Sequence, residues 1–283
     1  MDMETDLKNA AEKIIAIALE EDIKTGDITT DLIIPEKAKT KAYILAKEEG
    51  VIAGLPIAEM VFRKLDKNIG WKEEIKDGAH VKPGVVLARI EGSHRAILTG
   101  ERTALNFLQR ISGIATLTAR YVDALKGFKT KILDTRKTFP GMRLLDKYAV
   151  EKGGGTNHRI GLYDMVLIKD NHIKVAGSIT KAVEQIKGKV DSSIKIEVET
   201  TTLDEVKEAL ASGVDIIMLD NMTNEMMSEA VRVIGGRALV EASGSINIDR
   251  VKEITQTGVD FISVGALTHS VKALDIGLYI EDR

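Results

Sequence analysis

The chain has 283 residues, enough for one large or two modest domains around a substantial core. With 40 Lys and Arg against 43 Asp and Glu, its formal charge is −3, which excludes a global basic field for nucleic acid and makes any anion binding local. The absence of cysteine excludes disulfides, thiolate metal centres and cysteine nucleophiles, and no apolar run approaches the roughly 18 residues of a membrane span, so a cytoplasmic protein is expected.

Leu7, Ala10, Ala11, Ile14, Ile15, Ala18 and Leu19 recur at helical spacing, which predicts an amphipathic helix ending near Glu20 and stopped by Thr25-Gly26-Asp27. Lys41 to Lys47 alternates as a strand, Gly54-Leu55-Pro56 opens a helix through Leu65, and Val85 to Ile90 reads as a further strand after two Gly-containing turns. This first part is a small α+β layer in which Trp71 and His80 are packing or surface residues. From His94 two long helices are expected, Ala96–Arg110 and Ile114–Leu125, broken at Ser112-Gly113. Arg102 lies in the first of them and, on helical spacing alone, is a solvated arginine.

After Gly127 short apolar runs alternate with helices: Lys131–Leu133, Met165–Ile168, Ile194–Val198, Ile216–Leu219, Ala238–Val240 and Phe261–Val264. Continuous apolar runs alternating with helices are the pattern of a parallel sheet buried on both faces. Six strands are legible where a closed barrel needs eight. Chemistry in such folds gathers at the C-terminal strand ends, and those ends hold Asp134 with Arg136 and Lys137, then Lys169, Glu199, Asp220, Glu241 with Ser243, and Ser263 with Gly265. Helix capping is the ordinary use of such residues, but Thr202-Leu203-Asp204-Glu205 already forms a capping box and Thr223 or Asn224 can cap the helix after Asp220. Glu199 and Asp220 are thereby left for other work. Ser243-Gly244-Ser245 and Gly265-Ala266-Leu267-Thr268 follow the last two strands and are expected to precede helices, the kind of glycine loop that holds a phosphate, whereas neither a dinucleotide fingerprint nor a P-loop is present.

Cations crowd the stretch from Thr135 to Lys174, where Arg136, Lys137, Arg143, His158, Arg159 and Lys169 sit among turns, a set suited to a small polyanion carrying carboxylates or phosphates. The strings Thr135-Arg136-Lys137-Thr138, Gly154-Gly155-Thr156-Asn157-His158-Arg159 and Ile168-Lys169-Asp170-Asn171-His172 resemble those of the quinolinate phosphoribosyltransferases, also called nicotinate-nucleotide pyrophosphorylases (carboxylating). The likeness runs from Gly26-Asp27-Ile28-Thr29 to Ser263-Val264-Gly265-Ala266-Leu267-Thr268-His269-Ser270.

The resemblance implies an incomplete parallel α/β barrel with an N-terminal α/β sandwich domain: residues 1–112 the sandwich, 113–273 the barrel, and 274–283 rejoining the sandwich. It implies transfer of phosphoribosyl from phosphoribosyl pyrophosphate to quinolinate with loss of CO2, giving nicotinate mononucleotide and pyrophosphate, with Mg²⁺ required. By position it assigns quinolinate to Thr135, Arg136, Lys137, His158, Arg159 and Lys169 with Arg102 from a neighbouring chain, so that a homodimer shares its sites; assembly as a hexamer stays open. Lys137, Lys169, Glu199 and Asp220 become the catalytic set, and Glu199 and Asp220 also the Mg²⁺ ligands. Those four, with Ser243, Gly244, Ser245, Val264, Gly265 and Ala266, would hold the phosphoribosyl donor. For His172 and His269 ligand contact and packing are equally open. The competing readings are a paralogue associated with molybdenum-transport genes, a nicotinate phosphoribosyltransferase, a Schiff-base barrel lyase using Lys169 or Lys137, and a non-catalytic anion binder.

Overall fold

The computed structural model describes residues 3–281. The chain divides into two compact units, neither of them one continuous stretch. The first runs to Ala119, takes in Thr138–Gly154 and resumes at Leu267; the second comprises Arg120–Lys137 and Gly155–Ala266.

In the first unit, α1 (Met3–Ile23) and α2 (Ile28–Ile33) precede β1 (Lys39–Ala46), β2 (Gly50–Val51), α3 (Leu55–Leu65), β3 (Gly70–Glu73), β4 (His80–Val81) and β5 (Val86–Ser93). Ala42, Ile44 and Ala46 of β1 are fully buried, as strict alternation dictates for a sheet with one covered face. Trp71 lies on β3, a strand of four residues, and its ring packs 6.1 Å from that of Phe62. His80 is exposed on β4.

The expected break at Ser112-Gly113 does not occur. One helix, α4 (His94–Ala124), runs for 31 residues through both positions and therefore through the boundary expected at 112–113. Ser112 is buried with its hydroxyl donating to Ala53 O (3.1 Å) and accepting from Ala53 N–H (3.0 Å), so it ties the helix to the chain before α3. A Cβ on Gly113 would stand 2.3 Å from Lys272 O. Glycine is there for a close backbone approach rather than to end a helix.

The second unit holds β6 (Lys131–Leu133), and α5 (Arg143–Lys152) of the first unit follows it in the chain. The second unit continues with β7 (Val166–Ile168), α6 (Asp170–Ala176), α7 (Ile179–Ile186), β8 (Ile196–Thr200), α8 (Leu203–Ala211), β9 (Ile216–Asp220), α9 (Asn224–Ile234), β10 (Leu239–Ser243), α10 (Ile248–Gln256) and β11 (Phe261–Ser263). All six strands are parallel in the order β6-β11-β10-β9-β8-β7. Among the described residues the sheet is not closed: at its β6 edge only an isolated bridge, Leu133 to Thr156, continues the ladder. That is the incomplete barrel, and it explains why six runs and not eight are readable. α8 starts with the expected capping box of Thr202 and Glu205, and Thr223 caps α9 by accepting the Met226 N–H. After α11 (Ala266–His269), β12 (Ile276–Ile280) pairs antiparallel with β1 in the first unit's sheet, order β12-β1-β5-β3. No described helix is long and apolar enough to cross a membrane.

Candidate active site

Parallel strands put all their C-terminal ends on one rim, and adjacency in the sheet decides which side chains meet there. β7 lies beside β8, so Lys169, one residue past β7, reaches Glu199 in β8: Nζ to Oε2 is 2.9 Å. Glu199 is thus left out of capping but is not idle; it holds the lysine, with only 16% of its side chain exposed. β9 lies beside β10 in a register that places Asp220 opposite Ser243. The Asn221 amide donates to the Asp220 carboxylate (2.8 Å), and its own N–H donates to Ser243 O (3.0 Å). β11 lies beside β6, and Val264 N–H donates to Leu133 O (2.9 Å), bringing the Val264-Gly265-Ala266 turn next to Thr135-Arg136-Lys137.

The two glycine loops follow the last strands as expected, but the first does not open directly into a helix and the second opens only a short one. α10 begins only at Ile248 with Asn247 as its cap, and α11 is a single turn of four residues. What the first loop does offer is close backbone approach: Gly244 has φ +95°, and a Cβ there would fall 2.2 Å from Asn221 Oδ1. Asn221 (φ +54°) and Ser245 (φ +43°) are also left-handed, an unusual run of non-glycine positive φ at a mouth.

On the other side of the rim, Lys137 is exposed while Thr135, Arg136 and Arg159 are half-buried, and Lys137 N–H donates to Thr135 Oγ1 (3.1 Å). Arg159 Nη1 donates to Met165 O (3.1 Å). Burial, and then the neighbouring Arg136 cation, hold the Arg159 guanidinium below its ordinary value, with Glu197 and Asp164 acting against them. Two like charges therefore act on one another in a partly desolvated place. Arg102 is exposed on α4 in the first unit. His172 accepts the Lys169 N–H on Nδ1 (3.0 Å), which gives it a local role at the start of α6; His269 Nδ1 lies 2.6 Å from Ser270 Oγ.

His158 departs from its expected part. Its ring is 8% exposed, Nδ1 accepts the Arg159 N–H (2.7 Å), and Nε2 lies 3.0 Å from Glu197 and 3.3 Å from Glu241, so both nitrogens are engaged inside the protein rather than presented to a carboxylate ligand. Glu197 and Glu241 are fully buried in β8 and β10. Burial and then the Glu241 charge push Glu197 up to about 7; burial works against His158, yet hydrogen bonds to Glu197 and Glu241 push it up to about 10. That affinity for a proton belongs to the cluster as a whole. The Arg159 N–H demands a lone pair on Nδ1, so the ring carries its hydrogen on Nε2, the nitrogen that faces the two carboxylates. Glu197 was hidden within a strand run, although a charge inside Ile196-Glu197-Val198, on the same face as Glu199, was a usable signal.

Among family descriptions, "Quinolinate phosphoribosyl transferase, N-terminal domain" matches residues 27–112 and "Quinolinate phosphoribosyl transferase, C-terminal domain" matches residues 114–279. The chain is 48% identical to the chloroplastic nicotinate-nucleotide pyrophosphorylase [carboxylating] of Arabidopsis thaliana over 288 residues, covering 95% of this chain and 82% of that protein. It is 45% identical to the probable nicotinate-nucleotide pyrophosphorylase [carboxylating] of Bacillus subtilis (strain 168), over 91% of this chain and 89% of that one. The solved structure of the nicotinate-nucleotide pyrophosphorylase from Francisella tularensis superposes with a TM-score of 0.93 at 46% identity, covering 96% of both chains. Through both of its halves, the chain belongs to the quinolinate phosphoribosyltransferase family.

Proposed function

We propose that the protein transfers phosphoribosyl from phosphoribosyl pyrophosphate to quinolinate and releases CO2, forming nicotinate mononucleotide and pyrophosphate. The observation that supports this most is one rim carrying two half-buried arginines that act on one another, Arg136 and Arg159, together with strand-end carboxylates, Glu199 and Asp220. Arginine forks suit the two carboxylates of quinolinate. Lys137 and Lys169 suit the pyrophosphate, and Ser243, Gly244, Ser245 and the Val264-Gly265-Ala266 turn the 5′-phosphate. Lys169 changes partner in this reading, from Glu199 to the incoming anion.

In the transfer, the C1′–O bond breaks with its electron pair leaving on pyrophosphate, and the quinolinate nitrogen supplies the pair for the new C1′–N bond. Positive character grows on the sugar, which Glu199 and Asp220 stabilise, while Lys137 and Lys169 stabilise the charge on the leaving group. Glu199 and Asp220, hard oxygen donors on adjacent strands, fit Mg²⁺ shared with a substrate pyrophosphate. When bound, the ion neutralises charge on that pyrophosphate. The C2–carboxylate bond then breaks, its electrons are accommodated by the pyridinium, and C2 takes up a proton. The protein's part in that step is orientation and exclusion of water.

With quinolinate, phosphoribosyl pyrophosphate and Mg²⁺, the protein is expected to release CO2 in step with nicotinate mononucleotide, and nicotinate is not expected to serve as acceptor. Turnover of nicotinate in place of quinolinate overturns the assignment. Arg102 is proposed to complete the diacid pocket of a partner chain in a homodimer. Mixed dimers of Arg102→Ala and Lys169→Ala subunits should then recover activity that neither parent has, because one of the two sites in each mixed dimer keeps both residues. No recovery after verified subunit exchange would make each subunit self-contained.

A further inference from the structure

Below the rim lies a buried polar layer that the reaction as proposed does not use: Asp134, His158, Glu197, Glu241 and Ser263. Its links converge on one dipeptide. His158 N–H donates to Asp134 Oδ1 (2.7 Å), and the next N–H, that of Arg159, donates to the His158 ring (2.7 Å). The ring is held from its far side by Glu197 and Glu241, and Glu241 is held in turn by the Ser263 hydroxyl (2.5 Å). Glu197 also acts electrostatically on Arg159.

Two other uses of this layer fit less well. The His158, Glu197 and Glu241 ligand atoms lie within 4.8 Å of one another, close enough for a metal. A ligating imidazole, however, donates from its other nitrogen, whereas Nδ1 here accepts, so that Nε2 bears the hydrogen and has no lone pair to give. Stability alone is also a poor reason for the layer, since well-packed apolar side chains would fill the volume without the desolvation cost of two carboxylates.

We infer that Glu197 and Glu241 are positioning residues for the diacid pocket: by fixing the His158 ring they fix the Arg159 peptide and aim its guanidinium. This deepens the function proposed above and rests on it.

The test compares wild type with Glu197→Gln and Glu241→Gln, which keep side-chain shape. The readouts are both KM values, kcat, and the Kd for phthalate, a 1,2-diacid that lacks the ring nitrogen and cannot react. The KM for quinolinate and the Kd for phthalate are expected to rise roughly tenfold to a hundredfold, while the KM for phosphoribosyl pyrophosphate stays within about twofold. Ser263→Ala, which removes only the hydroxyl from Glu241, should move the same constants in the same direction by less, and it decides the matter if the Gln variants do not fold. Equal changes in both KM values, or unchanged diacid constants in folded variants, overturn the inference. So does a stoichiometric metal in the purified wild type that is lost in Glu241→Gln. Failure of the wild type to consume quinolinate would sink the proposed function instead, and the phthalate titration would still report on the pocket.

Discussion

Arg136→Ala is expected to abolish quinolinate binding while leaving phosphoribosyl pyrophosphate binding largely intact. Truncating one partner of a desolvated charge pair costs about 2–5 kcal/mol, roughly 30-fold to several thousand-fold in affinity. Arg136 is half-buried with its Nε wholly covered, so water cannot easily substitute for it. The variant also removes the cation that bears on Arg159, which relieves part of the depression of that guanidinium. Calorimetric titration with each substrate separately checks the expected loss. Equal loss of both ligands would mean that Arg136 serves the donor rather than the diacid.

The largest loss of stability is expected from Arg110→Ala in the first unit. Asp146 on α5 is fully buried and accepts two contacts from Arg110 Nη2 (2.9 and 3.1 Å), and the same nitrogen donates to Thr268 O (3.3 Å). The guanidinium also lies 4.3 Å from the centre of the Phe139 ring. Removing the arginine leaves a carboxylate in a desolvated place with the weak Phe139 N–H (3.4 Å) among its contacts, a change that costs about 3–5 kcal/mol. The pH dependence has a definite sign. Burial already holds the Asp146 carboxyl above its ordinary 3.8, with Arg110 working against that rise, so without Arg110 its folded-state value climbs further. A raised carboxyl destabilises the fold above its folded-state value, and the penalty fades as pH falls through that value towards the unfolded one. The deficit of Arg110→Ala should therefore be widest at neutral pH and narrow in mild acid. Adding Asp146→Asn should recover part of it at pH 7, in denaturant melts of the single and double variants. A deficit that is constant across pH would assign it to lost packing of the arginine stem instead.

Much of the second unit was legible because a strand covered on both faces is mostly apolar, and six largely apolar runs became β6 to β11. The helix caps at Thr202 and Thr223 were legible for a local reason: their hydrogen bonds span three residues. What escaped was decided at long range. Gly113 looks like a helix breaker until Lys272, far along the chain, is seen against it. The role of His158 could not be read from its own string, because Glu197 and Glu241 reach it only through strand order. Lys169 and Glu199 were both singled out, but their mutual contact depends on β7 lying next to β8, which no local pattern states.

The pairing of β12 with β1 has a consequence for biosynthesis. β12 follows the whole six-stranded sheet in the chain, so during synthesis β1 must wait with one hydrogen-bonding edge open until that sheet has been made. The six-stranded parallel sheet has no such debt to the C-terminus, since β11 is complete before β12 is made. The six-stranded sheet should therefore form before the sheet of β1 is complete, and a stalled or clipped product lacking β12 would carry a sticky edge that chaperones must cover.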